Sequence, residues 1–187
     1  MDFKIRVAEK TDAKDLYSLN SRWQGERMNE DSKKNYGFLS ASFSENDFKI
    51  LISHEEVVVA TYGNLIIGYY LINNYVDTEK FRLGKSIVQK IKNDNKIPSG
   101  CKVALGAQVL IEVDYRGNNL TNKMLYLLCK NVSHKYDYFY SSIKKNNIQS
   151  IKANLRNGWK IVEEDETLFF VFLHTKDYLL NSKNFEK

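Results

Sequence analysis

The sequence predicts a mixed α/β fold, an α+β arrangement with a mostly antiparallel central sheet of about seven strands and helices on both faces. Three observations predict it. Segments of strand-like and helix-like periodicity alternate from Phe3 to Thr175, which calls for a sheet with helices layered on it. Two apolar β-branched runs flank Tyr62-Gly63-Asn64, the signature of a hairpin within that sheet. From Val109 to Cys129 a strand runs through a short Gly/Asn turn straight into an amphipathic helix. No repeat, linker or low-complexity stretch divides the 187 residues, so one domain over 1–187 is expected, with a core of ordinary size.

Taken in order, Phe3, Ile5 and Val7 alternate as a strand, and Thr11-Asp12 reads as the cap of a helix bearing Ala13, Leu16 and Tyr17. The stretch from Asn20 to Ser42, with Trp23, Met28, Tyr36 and Phe38, is less regular. Ser44 caps a helix whose apolar face is Phe48, Leu51 and Ile52. The hairpin pairs Val57–Thr61 with Leu65–Ile72, and its second strand is nearly all apolar, hence central. Asp77–Asp94 places Phe81, Ile87, Val88 and Ile91 on one helical face, and the loop NDNKIPSG holds the chain's single proline. This helix and loop read either as a lid or substrate-side wall, or as a surface elaboration. After the Val109 strand and its helix come an aromatic strand over 136–143 and a helix from Asn147 stopped by Gly158. Strands at 159–162 and 168–175 close the sheet, and a polar tail from about 177 is expected to fray.

Composition narrows the function. The formal charge is +5, yet no Lys/Arg run exceeds two, so a continuous stripe tracking a phosphate backbone is not present and no nucleic-acid partner is expected. No apolar run reaches eighteen residues and no signal peptide is evident, so a cytoplasmic protein without a membrane partner is expected. Cys101 and Cys129 lack CxxC spacing or a neighbouring His, and His54, His134 and His174 stand far apart, so neither a nucleophilic thiol nor a metal site is expected.

The Val109–Cys129 stretch carries the chemistry. A strand that enters a helix through Tyr115-Arg116-Gly117-Asn118-Asn119 leaves unpaired N–H groups at the positive end of the helix dipole, a site for an anion such as a pyrophosphate. The turn has one glycine and no Gly-Lys-Ser/Thr ending, which excludes a P-loop and a dinucleotide fingerprint. Lys123, Lys144 and Lys145 are candidates for a local cationic cluster around the anion.

At this point the sequence resembles the GNAT superfamily of N-acetyltransferases, whose acetyl-CoA signature [Q/R]-x-x-G-x-[G/A] follows a strand. Arg116 fills the first position, Asn119 stands where glycine is usual, and Thr121 where glycine or alanine is usual. Asn tolerates positive φ, whereas the branched Cβ of Thr121 occupies space close to the backbone. Downstream, Asn147, Ser150, Gly158 and Trp159 match the family's N-x-x-[A/S], seven residues, G-[F/W/Y] in register.

The resemblance implies a sheet whose fourth and fifth strands splay, with acetyl-CoA between them as co-substrate. It implies that backbone at Ile111, Glu112 and Val113 pairs with the pantetheine arm. It also implies that the loop Arg116, Gly117, Asn118, Asn119, Leu120, Thr121 holds the pyrophosphate, and that Asn147, Ser150 and Asn154 lie by the cofactor. The Asn20–Ser42 segment would border the acceptor, an amine on a small molecule, protein or peptide. Many relatives place a tyrosine acid seven residues after the asparagine; here that position is Asn154, which can hydrogen-bond but cannot donate a proton. Glu112, a carboxylate in an apolar strand, is the candidate base acting through water, or else a strand-edge charge reaching solvent. Asn147 either touches the cofactor or caps its helix. Direct N-acetyl transfer by a monomer or homodimer is the leading reading; a non-catalytic acyl-CoA-binding or regulatory module is the alternative.

Overall fold

A computed structural model describes residues 2–182. Its eight strands form two four-stranded sheets. In the first, β1 (Phe3–Val7), β2 (Val57–Tyr62), β3 (Leu65–Leu71) and β5 (Gln108–Ile111) lie in that order, all antiparallel. In the second the order is β4 (Val103–Ala104), β6 (Tyr138–Lys144), β8 (Leu168–His174), β7 (Lys160–Glu164), and only β4 and β6 run parallel. The expected strand from Val109 to Val113 is thus shifted: it ends at Ile111, Val113 enters a 3-10 turn over Val113–Tyr115, and a short strand precedes it. Between the two pieces Gly106 takes φ +63°, and a Cβ there would meet the Asn73 Cβ at 3.3 Å, so the kink requires glycine.

The sheets meet where Ala107 N–H donates to the Tyr140 carbonyl at 3.1 Å and Ser141 Oγ donates to the Ala107 carbonyl at 2.8 Å. Past that joint β5 and β6 belong to different sheets. This is the splay that the resemblance implies.

Strand alternation sorts the core onto two faces. Val58, Ala60, Phe139 and Ile143 pack with Met124, Leu125 and Leu128 of α5 (Leu120–Val132). Val57, Val59 and Tyr69 pack instead with Leu16 and Leu19 of α1 (Ala13–Arg22) and Phe48 and Leu51 of α3 (Glu45–Ser53). Between α1 and α3 lies α2 (Glu30–Tyr36), so the irregular segment does hold a short helix. On the face carrying Tyr140, the helix α4 (Glu79–Asn93) buries Phe81, Val88 and Ile91 against Tyr140, Phe170 and Phe172. Gly84 permits that approach, because a Cβ there would stand 2.9 Å from Tyr140 Cε1. Finally α6 (Ile148–Arg156) sets Ile151 against the α5-side core.

Two local expectations are corrected. Asp12 does not cap α1 with its side chain: its carboxylate accepts from the Arg6 guanidinium and from Glu9 N–H, and a 3-10 turn over Lys10–Asp12 leads into the helix. The expected frayed tail instead forms α7 (Thr175–Asn181), because Tyr178 buries itself in the α5-side core and its hydroxyl meets the Asn122 carbonyl at 3.2 Å. The rest of that tail, 183–187, lies outside the described residues. No helix of the described residues is long and apolar enough to cross a membrane.

Candidate functional site

A cavity of about 640 Å³ occupies the parting between β5 and β6. Its first wall is a strand edge. Glu112 N–H donates to the Ile67 carbonyl at 2.9 Å, and β5 pairs with β3 in the register Leu110 to Tyr69 and Val109 to Tyr70. Antiparallel pairs alternate, so Gln108, Leu110 and Glu112 turn their main chain to β3, while Val109 and Ile111 turn theirs to the cavity. The Ile111 carbonyl accepts from Arg116 Nε at 2.9 Å.

The second wall is the start of α5. Gly117 (φ +84°) and Asn119 (φ +58°, ψ +20°) both sit at positive φ, which folds the loop back under the helix. Asn119 is the residue before the helix and its side chain makes no capping hydrogen bond; its Oδ1 accepts from Asn122 Nδ2 at 2.6 Å instead. The first-turn N–H groups therefore point outward without a side-chain acceptor at the positive end of a thirteen-residue helix. Arg116, Gly117, Asn119, Leu120 and Thr121 all line the cavity. Asn118 does not, for its side-chain amide donates back to the Tyr115 and Arg116 carbonyls and braces the turn from outside.

The third wall joins α6 to the Gly37–Ala41 segment. Asn147 is buried; its Oδ1 accepts from Ser150 N–H at 3.3 Å and its Nδ2 donates to the Phe38 carbonyl at 2.9 Å. It caps α6 and also ties down the loop that closes the cavity. Ser150 and Asn154 line the cavity as well, and Asn154 Nδ2 donates within the helix, to the Ser150 carbonyl at 2.8 Å.

Three expectations need correction. Glu112 does not line this cavity: its carboxylate bonds Arg22 Nη2 and Trp23 Nε1 and faces a shallower pocket on the other side of the strand end, with Arg27 and Met28. The strand ends two residues sooner than its apolar pattern suggests, and that side chain turns toward the end of α1. Val113 has left the sheet and lies by the same second pocket, so the cavity-facing backbone is Val109 and Ile111 rather than Ile111, Glu112 and Val113. Among the lysines, Lys144 lines the cavity, whereas Lys123 does not and Lys145 pairs with Glu164 at 3.3 Å.

The charge of the lining is one-sided. Lys80, Arg116, Lys144, Lys152 and Arg156 line the cavity together with no Asp or Glu, and among the described residues none of the five has a carboxylate within 4.0 Å. Such a lining concentrates anions. Sequence reasoning missed Lys80, Lys152, Arg156 and Val109. Lys152 and Arg156 left a signal, four residues apart on the helix that carries Asn154. Burial, with repulsion from Lys144, brings the Lys80 pKa down from 10.5 to about 8.

No protein-family model and no curated protein sequence matches the chain. Solved structures do. The yncA protein of Salmonella typhimurium, assigned as an acetyltransferase and solved with acetyl-CoA, aligns with TM-score 0.60 at 13% identity over 94% of this chain and 95% of its own. A GNAT-family acetyltransferase of Listeria monocytogenes aligns with TM-score 0.61 at 15% identity over 92% of this chain and 94% of its own. The PaiA N-acetyltransferase of Thermoplasma acidophilum, solved with coenzyme A, gives 0.61 at 13% identity over 93% and 99%. At these identities the likeness is one of architecture, and the chain has the fold of the GNAT acetyltransferases.

Proposed function

We propose that the protein is an N-acetyltransferase that moves an acetyl group directly from acetyl-CoA to an amine. One observation carries this reading: a strand edge that offers Val109 and Ile111 main chain and an uncapped helix start at Asn119–Thr121 open on the same acid-free cavity. The first suits an extended amide-bearing arm laid along a strand, the second a pyrophosphate, and both groups belong to one molecule, acetyl-CoA. Three of the cations without a carboxylate partner, Arg116, Lys152 and Arg156, suit its phosphates, and fold neighbours solved with acetyl-CoA or coenzyme A support the same ligand.

Acetyl-CoA supplies an activated acyl group as a thioester. On this reading an N–H of β5, at Val109 or Ile111, hydrogen-bonds the thioester carbonyl and stabilises the oxyanion as it forms. The acceptor nitrogen, unprotonated, adds to the carbonyl carbon; the carbon–sulfur bond breaks, the amide forms, and the proton lost from nitrogen balances the one gained by the thiol. Asn154 keeps its amide within α6 and Glu112 is held by Arg22 and Trp23, so neither is assigned the proton transfer. Cys101 and Cys129 are buried, and burial pushes both thiols up, which disfavours a covalent acetyl-cysteine and supports direct transfer.

Thermal-shift titration with acetyl-CoA, followed by thiol release across an amine panel, tests the reading. Stabilisation with turnover supports it. Stabilisation without turnover on any amine supports the alternative, a binding or regulatory module of the same fold. No response at millimolar acetyl-CoA defeats both.

A further inference from the structure

The wall of the cavity opposite α5 holds a pair of cations that the phosphate sites do not explain. Along β6 the side chains of Phe139 and Ile143 pack on the α5 side, whereas Tyr140 packs on the α4 side, so Ser142 and Lys144 share the α4 side with it. There Lys80, the second residue of α4, points its ammonium at the Ser142 carbonyl, 3.4 Å away. Lys144 extends to the same place, its Nζ 5.8 Å from the Phe38 ring centroid, and lies near enough to add its repulsion to Lys80.

Apart from the long Ser142 contact, the surroundings of Lys80 are unfavourable. A cation in the first turn opposes the helix dipole, a second cation faces it, and the pKa has dropped to about 8. Of the two acids beside it in the chain, Asp77 is paired with Arg82 at 2.9 Å and Glu79 makes no ion pair with it among the described residues. An anion placed between Lys80 and Lys144 would relieve all three costs at once. The start of α5 and the α6 residues Lys152 and Arg156, on a helix whose Ile151 packs in the α5-side core, line the cavity from that side, so the anions of the donor are already provided for.

Resting on the acetyl-transfer reading above, we propose that the acceptor is an amine that also carries an anionic oxygen group, a carboxylate or a phosphate, held by Lys80 and Lys144 at the α4 wall. The helix and loop over 77–100 are then the element that selects the acceptor. Thr78, which caps α4 through its side-chain oxygen on Phe81 N–H, lines the same wall and fixes where Lys80 emerges.

The test uses matched pairs that differ only in the anion: L-amino acids against their amides for the carboxylate arm, and O-phosphoethanolamine against ethanolamine for the phosphate arm, all by thiol release at saturating acetyl-CoA. An anionic member should exceed its neutral partner in kcat/KM by about tenfold or more, the scale of one charge-assisted hydrogen bond. Lys80→Met and Lys144→Met should each raise KM for that member by about tenfold while leaving KM for acetyl-CoA within about twofold, and Lys80→Arg should restore much of the loss. Preference for neutral or cationic members overturns the proposal, as does a loss that falls on acetyl-CoA in place of the acceptor. Absence of turnover with every amine defeats the transfer reading itself. The anion site is then judged by thermal shift of the coenzyme A-saturated protein with the same pairs: stabilisation by the anionic members that Lys80→Met abolishes supports it, and no such difference overturns it.

Discussion

Arg116 Nε donates to the carbonyl of Ile111 at 2.9 Å, so the first residue of the loop before α5 fastens the last residue of the strand that leads into it. Its Nη1 reaches the Tyr36 carbonyl at 2.8 Å, and the guanidinium lies 5.1 Å from the Trp23 ring centroid. One side chain thus holds the strand edge, the loop and the α1–α2 segment in register.

Arg116→Ala should weaken acetyl-CoA binding by about 1.5–3 kcal/mol, roughly tenfold or more, since two charge-assisted bonds are lost together. Arg116→Lys should recover little of it, because a point ammonium cannot serve two carbonyls in different directions. Calorimetric titration of acetyl-CoA into the three proteins checks this.

Asn119 stands at φ +58° with its side chain turned to Asn122, so it is present for conformation. Asn119→Gly should keep acetyl-CoA affinity, as glycine takes that geometry freely. Asn119→Val should cost about 1–2 kcal/mol, roughly five- to thirtyfold, through the left-handed penalty. Equal losses in the same titration would mean that the side chain itself is a ligand.

Asn147 has two separable jobs, capping α6 and anchoring the Phe38 carbonyl. Asn147→Ala should lower stability by about 0.5–2 kcal/mol for the cap and raise the KM for acceptor or acetyl-CoA as the loop loosens. Asn147→Ser should restore the stability and not the KM, because serine caps a helix but cannot reach Phe38. Denaturant unfolding and steady-state kinetics, run side by side, separate the two.

Lys80 gives a pH dependence of definite sign. Its folded pKa, about 8, lies below the 10.5 of a free lysine, so the folded state binds that proton less tightly than the unfolded state. The resulting penalty is fully present below about pH 8 and is relieved as the pH rises from there towards 10.5. The ligand-free protein should therefore gain stability over that window relative to Lys80→Met. The groups that face Lys80 there are the Lys144 ammonium and the Ser142 carbonyl, neither of which changes that sign. Denaturant midpoints of the two proteins from pH 7 to pH 10 report the difference.

Much of this was legible in the sequence, and the reasons differ by element. The hairpin, the α3 cap at Ser44 and the helix stop at Gly158 follow from local chemistry and stand where the pattern puts them. The positive φ of Asn119 was legible because few residues tolerate it. The identity of the strand edge was not. Apolar alternation runs on through Val113, but the main chain leaves the sheet at Glu112, whose carboxylate meets Arg22 and Trp23 ninety and eighty-nine residues earlier in the chain. Lys80 was illegible for the same kind of reason, since its neighbours Ser142 and Lys144 arrive from a strand far along the chain. The helix at Thr175–Asn181 looked like tail because its apolar content is small, and it folds through the cap at His174 and the α5-side core that receives Tyr178 and Leu179.

The joint at Ala107 has a consequence for motion. Two hydrogen bonds, Ala107 N–H to Tyr140 and Ser141 Oγ to Ala107, close the inner end of the gap, while its outer end has no ladder across it. The two sheets are held as the halves of a clothes-peg are, with the joint as pivot and α5, which packs on strands of both, as the spring. The width of the gap at Val109 should then respond to how the α5-side core is filled at Met124, Leu128 and Ile143, of which only Ile143 touches the cavity. Substitutions that refill that core at Met124 or Leu128 should therefore alter the gap without changing any residue that lines it.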